Sequence, residues 1–160
     1  MKEKIILASI ESLRREGLKF SVDSLAEKLK ISKKTVYKYF PDKQSLALAL
    51  YERYYADAIM QAKAARPDES ARPRLLRLYY DSRTMIRPEI FNKYRLNGQI
   101  ASYTGEKEDE LWAIVSASFG DRAKNESETY RLIVDGALDK VCQQGAAPDG
   151  VIAQLEQILW

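Results

Sequence analysis

A chain of 160 residues with 46% apolar content can build a genuine core, as one compact unit or as a small module joined to a larger one. It has no histidine and a single cysteine, Cys142. The commonest general base and metal ligand are therefore missing together, and neither an internal disulfide nor a cysteine metal cluster can form. The net charge of +3 is uneven, because up to Ala47 eleven cations face six acids. A basic head on a near-neutral body points to a polyanion met by the head alone.

Ile6, Ile10 and Leu13 at helical spacing predict an amphipathic helix from about Lys2 to Arg15. The apolar run Ile5-Ile6-Leu7-Ala8 behind two lysines is its buried face, too short for a signal peptide. Gly17 closes that helix in a position favouring left-handed backbone. Ser21 caps a second helix, either as a cap alone or as a cap that also touches phosphate, with Asp23 near the positive end. That helix runs to about Leu29, Lys30-Ile31 makes the turn, and Ser32 caps a third. Leu25, Ala26, Leu29, Ile31, Val36 and Phe40 supply a compact inner face. Two short helices joined by a tight polar turn, the second alternating cations and aromatics outside, make a helix-turn-helix pattern.

Lys33 and Lys34 fall in the first turn of the third helix, where the helix dipole disfavours each cation by ~0.3–1 kcal/mol. Lys43 repeats the arrangement after Pro41 and Asp42. One such lysine is unremarkable on a surface, but the set favours DNA phosphates near these ends. Val36 and Phe40 already fill the inner face, which leaves Tyr37, and less clearly Tyr39, to face outward. A phenol there can donate to phosphate or lie against a thymine methyl.

The order Ser21, Leu25-Ala26, Ile31-Ser32, Thr35-Val36-Tyr37, Tyr39-Phe40, Lys43 and Leu46 resembles the N-terminal domain of TetR-family transcriptional regulators. The resemblance covers roughly Lys2 to Tyr51. It implies an all-α fold, with a three-helix helix-turn-helix DNA-binding domain over 1–47. A helical-bundle domain for ligand binding and dimerisation would follow over 48–160. It also implies DNA contacts from Lys33, Lys34, Tyr37 and Tyr39, and phosphate contacts from Ser21, Thr35 and Lys43. Ser32 and Lys38 complete the expected DNA-facing set. The family usually has glycine where this chain has Lys30, and often again at Lys34. Lys30 must therefore take a turn conformation that glycine adopts more cheaply.

A long helix is expected from Asp42 to about Ala65, which in the family joins head to body, and Arg66 to Ser70 forms a linker. Helical patterns follow over Leu75–Met85, over Glu89–Tyr103 with a break or kink at Gly98, and after Gly105 from Glu106 to Phe119. Asn125 with Glu128 resembles a capping box opening a further helix that ends near Gly145. A last amphipathic segment runs from Val151 to Trp160. No strand alternation is visible.

The two final helices resemble a dimer-forming pair, with Tyr130, Val134, Leu138, Val141, Leu155 and Leu159 as expected interface residues and Gly136 allowing close approach. They read equally as closure of the chain's own core. A dimer is favoured because reading a palindrome needs two heads about 34–36 Å apart. The family is usually longer, so either the C-terminus is truncated or Trp160 packs on a partner. Family resemblance would make Tyr79, Phe91, Tyr94, Trp112 and Phe119 the lining of an inducer pocket, although aromatics at helical spacing are more often core. Arg83, Arg87 and Arg95 nearby read equally as partners of an anionic ligand and as solvated side chains. Cys142 reads as a small buried hydrophobe.

The expected protein is thus a cytoplasmic homodimeric repressor without a cofactor, bound to a palindromic double-stranded operator and released by a small-molecule effector. It is neither an enzyme nor a membrane protein. The competing reading is a DNA-bound adaptor, or a nucleoid or division factor, whose helical body binds a protein.

Overall fold

The computed structural model of the chain describes residues 1–65, 68–94 and 96–159; the side chains at 18, 69, 88, 94 and 122–124 lie outside the description. Among the described residues every α or 3-10 element is helical and none is a strand. The α-helices are α1 (Lys2–Glu16), α2 (Val22–Lys28), α3 (Lys33–Tyr39), α4 (Lys43–Ala64), α5 (Arg72–Met85), α6 (Pro88–Tyr94), α7 (Gly98–Ala117), α8 (Asp121–Gln144) and α9 (Asp149–Leu159). They form two compact units. Unit 1 contains 1–56 and 85–105; unit 2 contains 57–84 and 106–160.

Unit 1 is built from local signals. Ile5, Ile6 and Leu13 are the buried face of α1, and Gly17 ends it at φ 53°. Ser21 accepts from the Ser24 backbone N–H, while Ser24 Oγ accepts from the Ser21 N–H, a reciprocal cap on α2. The turn after α2 is a Schellman closure. The Lys30 N–H bonds Glu27 O and the Ile31 N–H bonds Ala26 O, each at 3.0 Å. Its pivot is Lys30 at φ 54°, the one non-glycine positive φ among the described residues. Ser32 Oγ then accepts from the Thr35 N–H at 3.0 Å and starts α3. Asp42 opens α4 in the same way, its Oδ1 accepting from the Ser45 N–H at 2.7 Å. Leu25, Ala26, Val36 and Phe40 are buried as expected; Leu29 and Ile31 are only partly so.

Unit 1 does not end at residue 47. Tyr51 on α4 is 1% exposed, donates its hydroxyl to Met85 O at 2.6 Å, and stacks on Phe91 with ring centroids 5.9 Å apart. Ile90 is buried beside them in this unit. Asn97 caps α7 through the Ile100 N–H and donates to Gln44 Oε1 at 2.9 Å. A segment from the second half of the chain thus belongs with the head, which sequence pattern at positions 42–47 could not reveal.

Unit 2 packs around Leu75, Leu76, Leu111, Val115, Val134, Leu138, Ile152 and Leu155. Tyr79, Trp112, Phe119 and Tyr130 run through it as an aromatic series, successive centroids 5.3, 6.0 and 5.6 Å apart. Arg83 carries a polar layer beside this series. It donates to both carboxylate oxygens of Asp139 at 2.9 Å and lies 3.4 Å from Asp135, which also accepts from the Tyr79 hydroxyl at 2.8 Å. Burial alone would lower the Arg83 pKa, but the bond to Asp139 and the charges of Asp135 and Asp139 raise it.

Three expected boundaries move. Gly98 starts a helix instead of interrupting one, and Gly105 sits inside α7, where no neighbour crowds its Cα. The acids 106–110 are therefore mid-helix, and Glu108 is buried. The α8 helix begins at Asp121, with Glu126 at φ −125°, ψ 20° forming a kink next to the expected cap at Asn125. Cys142 is half-buried. Arg66, Pro67 and Trp160 lie outside the described residues.

The strain at Lys30 makes a prediction. A non-glycine residue in the left-handed region costs ~1–2 kcal/mol, partly offset by glycine's greater freedom when unfolded. Lys30→Gly should therefore raise stability by about 0.5–1 kcal/mol in denaturant unfolding. A loss of stability would mean that the Lys30 side chain contributes more than its backbone costs.

Candidate nucleic-acid interface

The α3 helix is two turns long, so its seven residues divide cleanly into inside and outside. Val36 is 1% exposed and anchors the inner side, with Phe40 just beyond the helix. Ser32, Lys33, Lys34, Lys38 and Tyr39 are exposed, while Thr35 and Tyr37 are partly so. Five of these residues, Ser32, Lys34, Thr35, Tyr37 and Lys38, line one shallow concavity. The Ser32 and Thr35 hydroxyls are 2.8 Å apart there. Lys34 and Lys38 are four residues apart, on one face one turn from each other. The surface offers two ammonium groups, two hydroxyls and a phenol, an inventory suited to phosphate oxygens and base edges.

Lys33 behaves differently from its neighbour. Its Nζ pairs with Asp23 Oδ1 at 2.9 Å across the turn, with both side chains at least half exposed. That hydrogen bond and the Asp23 charge raise the Lys33 pKa, so the ammonium persists well above neutral pH. The pair contributes below the ordinary lysine value of about 10.4 and is lost as pH rises through the raised one. A cation at the start of α3 thus has a partner inside the chain.

Ser21 is partly exposed and Lys43 exposed, on separate helix starts of the same unit. Asp42, immediately before Lys43, holds its carboxyl below the usual range because it accepts from the Ser45 N–H. Its contribution to the start of α4 is present above the ordinary carboxylate range and is lost as pH falls through the lowered value.

The residues expected to line an inducer pocket are spread over both units. Tyr79, Trp112 and Phe119 are 0, 3 and 5% exposed and fill the core of unit 2. Phe91 belongs to unit 1 against Tyr51, and the Tyr94 side chain and Arg95 lie outside the described residues. Arg83 is engaged by its carboxylates, and Arg87 pairs with Glu89 at 3.4 Å. The residues expected at a dimer interface are also packed inside the single chain. Tyr130, Val134, Leu138, Val141, Leu155 and Leu159 are each at most 8% exposed within a single chain, so they are core. The apolar side chains left outside on α8 and α9 are Leu132 at 74%, Ile133 at 43% and Ile158 at 73%.

Residues 5–50 match the family model described as "Bacterial regulatory proteins, tetR family". The HTH-type transcriptional regulator EthR of Mycobacterium tuberculosis is 32% identical over 119 residues, which cover 70% of this chain and 53% of that protein. The protein of the same name from Mycobacterium bovis matches to the same extent. The chain belongs to the TetR family. It spans about half the length of the curated relatives it matches. The fold is also that of a TetR transcription regulator from Haloarcula marismortui, with a TM-score of 0.68, 18% identity, and coverage of 99% of this chain and 93% of that one. Within the family model's span lie all of Ser21, Ser32, Lys33, Lys34, Thr35, Tyr37, Lys38, Tyr39 and Lys43. Among the described residues, no helix of this TetR-family chain is long and apolar enough to cross a membrane.

The Lys33–Asp23 pair yields a prediction that surface lysines in general do not. Asp23→Ala should leave the melting temperature nearly unchanged, since exposed pairs contribute little. It should tighten binding to any duplex and steepen the salt dependence by about one charge. Weaker DNA binding in that variant would show that Asp23 positions Lys33 instead of restraining it.

Proposed function

We propose that the chain is a homodimeric transcriptional repressor that places α3 of each subunit in a major groove of a palindromic operator. The observation that carries this reading is the outward face of α3, where Lys34 and Lys38 flank Tyr37 on one concave surface. A lysine at such a position suits the paired acceptors of guanine, and a tyrosine ring suits a thymine methyl. Ser21 and Lys43, at the starts of other helices, fix register on the phosphates without reading sequence.

The dimer would use the outer face of α8 and α9. Leu132, Ile133 and Ile158 are the exposed large apolar residues there. Gly136, one turn beyond Leu132 and Ile133, is exposed and has open space where a Cβ would sit. Apolar side chains grouped beside a small residue favour close helix packing. Release by a small-molecule ligand would act through α4, which runs from unit 1 into unit 2 without a break. A coupling of ~1–3 kcal/mol suffices for such a switch.

Two measurements test these assignments. Using a duplex selected from a random pool, Lys43→Ala should weaken binding to all sequences alike and flatten the salt slope by about one charge, whereas Lys34→Ala should change which sequences are preferred. An unchanged slope for the first, or uniform weakening by the second, would reassign the residue. For the dimer, Leu132→Asp with Ile158→Asp should give a folded monomer in analytical ultracentrifugation, while Leu138→Ala should cost about 2–5 kcal/mol of stability. A dimer that survives the double change would place the interface elsewhere.

A further inference from the structure

Unit 1 contains a cavity of about 190 Å³ that the DNA-facing surface does not account for. Its walls are apolar: Leu13 of α1, Phe20 ahead of α2, Leu46, Leu50 and Tyr51 of α4, and Ile90 of α6. All six are at most 8% exposed. Lys43 and Lys93 are exposed and mark where the cavity reaches solvent, which is where lysine heads stay. Two hydroxyls also belong to the described lining, and each already has its proton placed. Tyr51 donates to Met85 O at 2.6 Å. Ser21 Oγ donates to Ser24 Oγ at 3.1 Å and accepts from the Ser24 N–H, as part of the α2 cap.

Size and polarity together narrow the ligand. A polar group carried into this interior would give up its water and find no hydroxyl donor in exchange, which is costly. Water itself needs about 2–4 polar partners to stay in a cavity, and these side chains do not supply them. A dry apolar cavity of about 150 Å³ accepts benzene, so this one has room for a single ring with short alkyl arms. Phe20 and Tyr51 favour an aromatic body, because ring–ring contacts add to simple burial. Such a ligand needs neither lysine ammonium.

We propose that this cavity binds a small, neutral, apolar aromatic molecule. The site lies within the unit that carries α3, not in the helical body. Its walls come from α1, α4 and α6, so an occupant bridges the 85–105 segment to the N-terminal helices. Occupancy therefore stabilises that assembly by mass action. The site depends on no residue's role toward DNA, so it stands or falls independently of the repressor reading.

The test titrates the whole chain with p-xylene and, under nitrogen, with hydroquinone, which has the same outline but must point one hydroxyl inward. p-Xylene should bind at least about tenfold more tightly, since the inward hydroxyl goes unpaired. In NMR spectra of the chain with labelled Leu and Ile methyls, Leu13, Leu50 and Ile90 should shift on adding p-xylene. Leu111 and Leu138, in the core of unit 2, should hold still. Ala47→Phe and Leu96→Trp, which fill the cavity from two elements of its lining, should each abolish p-xylene binding while retaining a cooperative thermal transition. Absence of p-xylene binding, equal binding of the two compounds, shifts confined to unit 2, or undiminished binding by a folded filling variant would overturn the proposal. If neither filling variant folds, the methyl shifts of the unmodified chain decide alone.

Discussion

Tyr51 ties together parts of the chain that sequence order separates. Its ring stacks on Phe91, its hydroxyl bonds Met85 O, and almost none of it reaches solvent. A buried phenol without an acceptor would cost about 1–3 kcal/mol, so the Met85 carbonyl must stay where it is. That requirement brings 85–105 into the unit that carries α3, although these residues follow 28 residues of unit 2. The head is consequently more than a helix-turn-helix. It is a helix-turn-helix with α6 and the start of α7 packed into the same unit, and the Asn97–Gln44 bond closes it at the first turn of α4.

Electrostatics divide the two units in character. In unit 1 the charges are exposed and individually weak, so they serve an outside partner more than the fold. Several of them are already paired at the surface, among them Lys33 with Asp23, Lys28 with Glu11 and Arg87 with Glu89. In unit 2 one group of charges, around Arg83, is partly buried and engaged within the chain. Arg83 binds Asp139 with both prongs, and Asp135 accepts from Tyr79 beside it. Breaking such a network by removing one partner is costly because it leaves a buried charge uncompensated. The layer thus fixes how α5 and α8 pack, and gives unit 2 a single arrangement around its aromatic series.

The legible part of the sequence was the local part. Ser21, Ser32 and Asp42 announce helix starts because a side-chain oxygen can satisfy an N–H two or three residues away. Lys30, where relatives carry glycine, takes the left-handed turn that its position demanded. Periodicity found the buried faces, yet it could not say what covers them. Leu138 and Leu155 have the same spacing whether they meet their own chain or a second copy, and here they meet their own. Gly105 misled for a related reason, since glycine lowers helix propensity by only about 1 kcal/mol and packing on either side prevails. Phe91 and Trp112 looked alike in sequence and belong to different units, because that outcome depends on contacts dozens of residues apart.

The central claim is that the outer face of α3 enters the major groove of DNA, and tethered cleavage tests it most directly. Thr35→Cys in a Cys142→Ser background would carry an iron chelate that cuts nearby deoxyribose, using a duplex selected from random sequence. The account predicts two clusters of cuts flanking major grooves about one helical turn, 10–10.5 bp, or a multiple of it apart. Cleavage spread evenly along the duplex, as with untethered reagent, would contradict it.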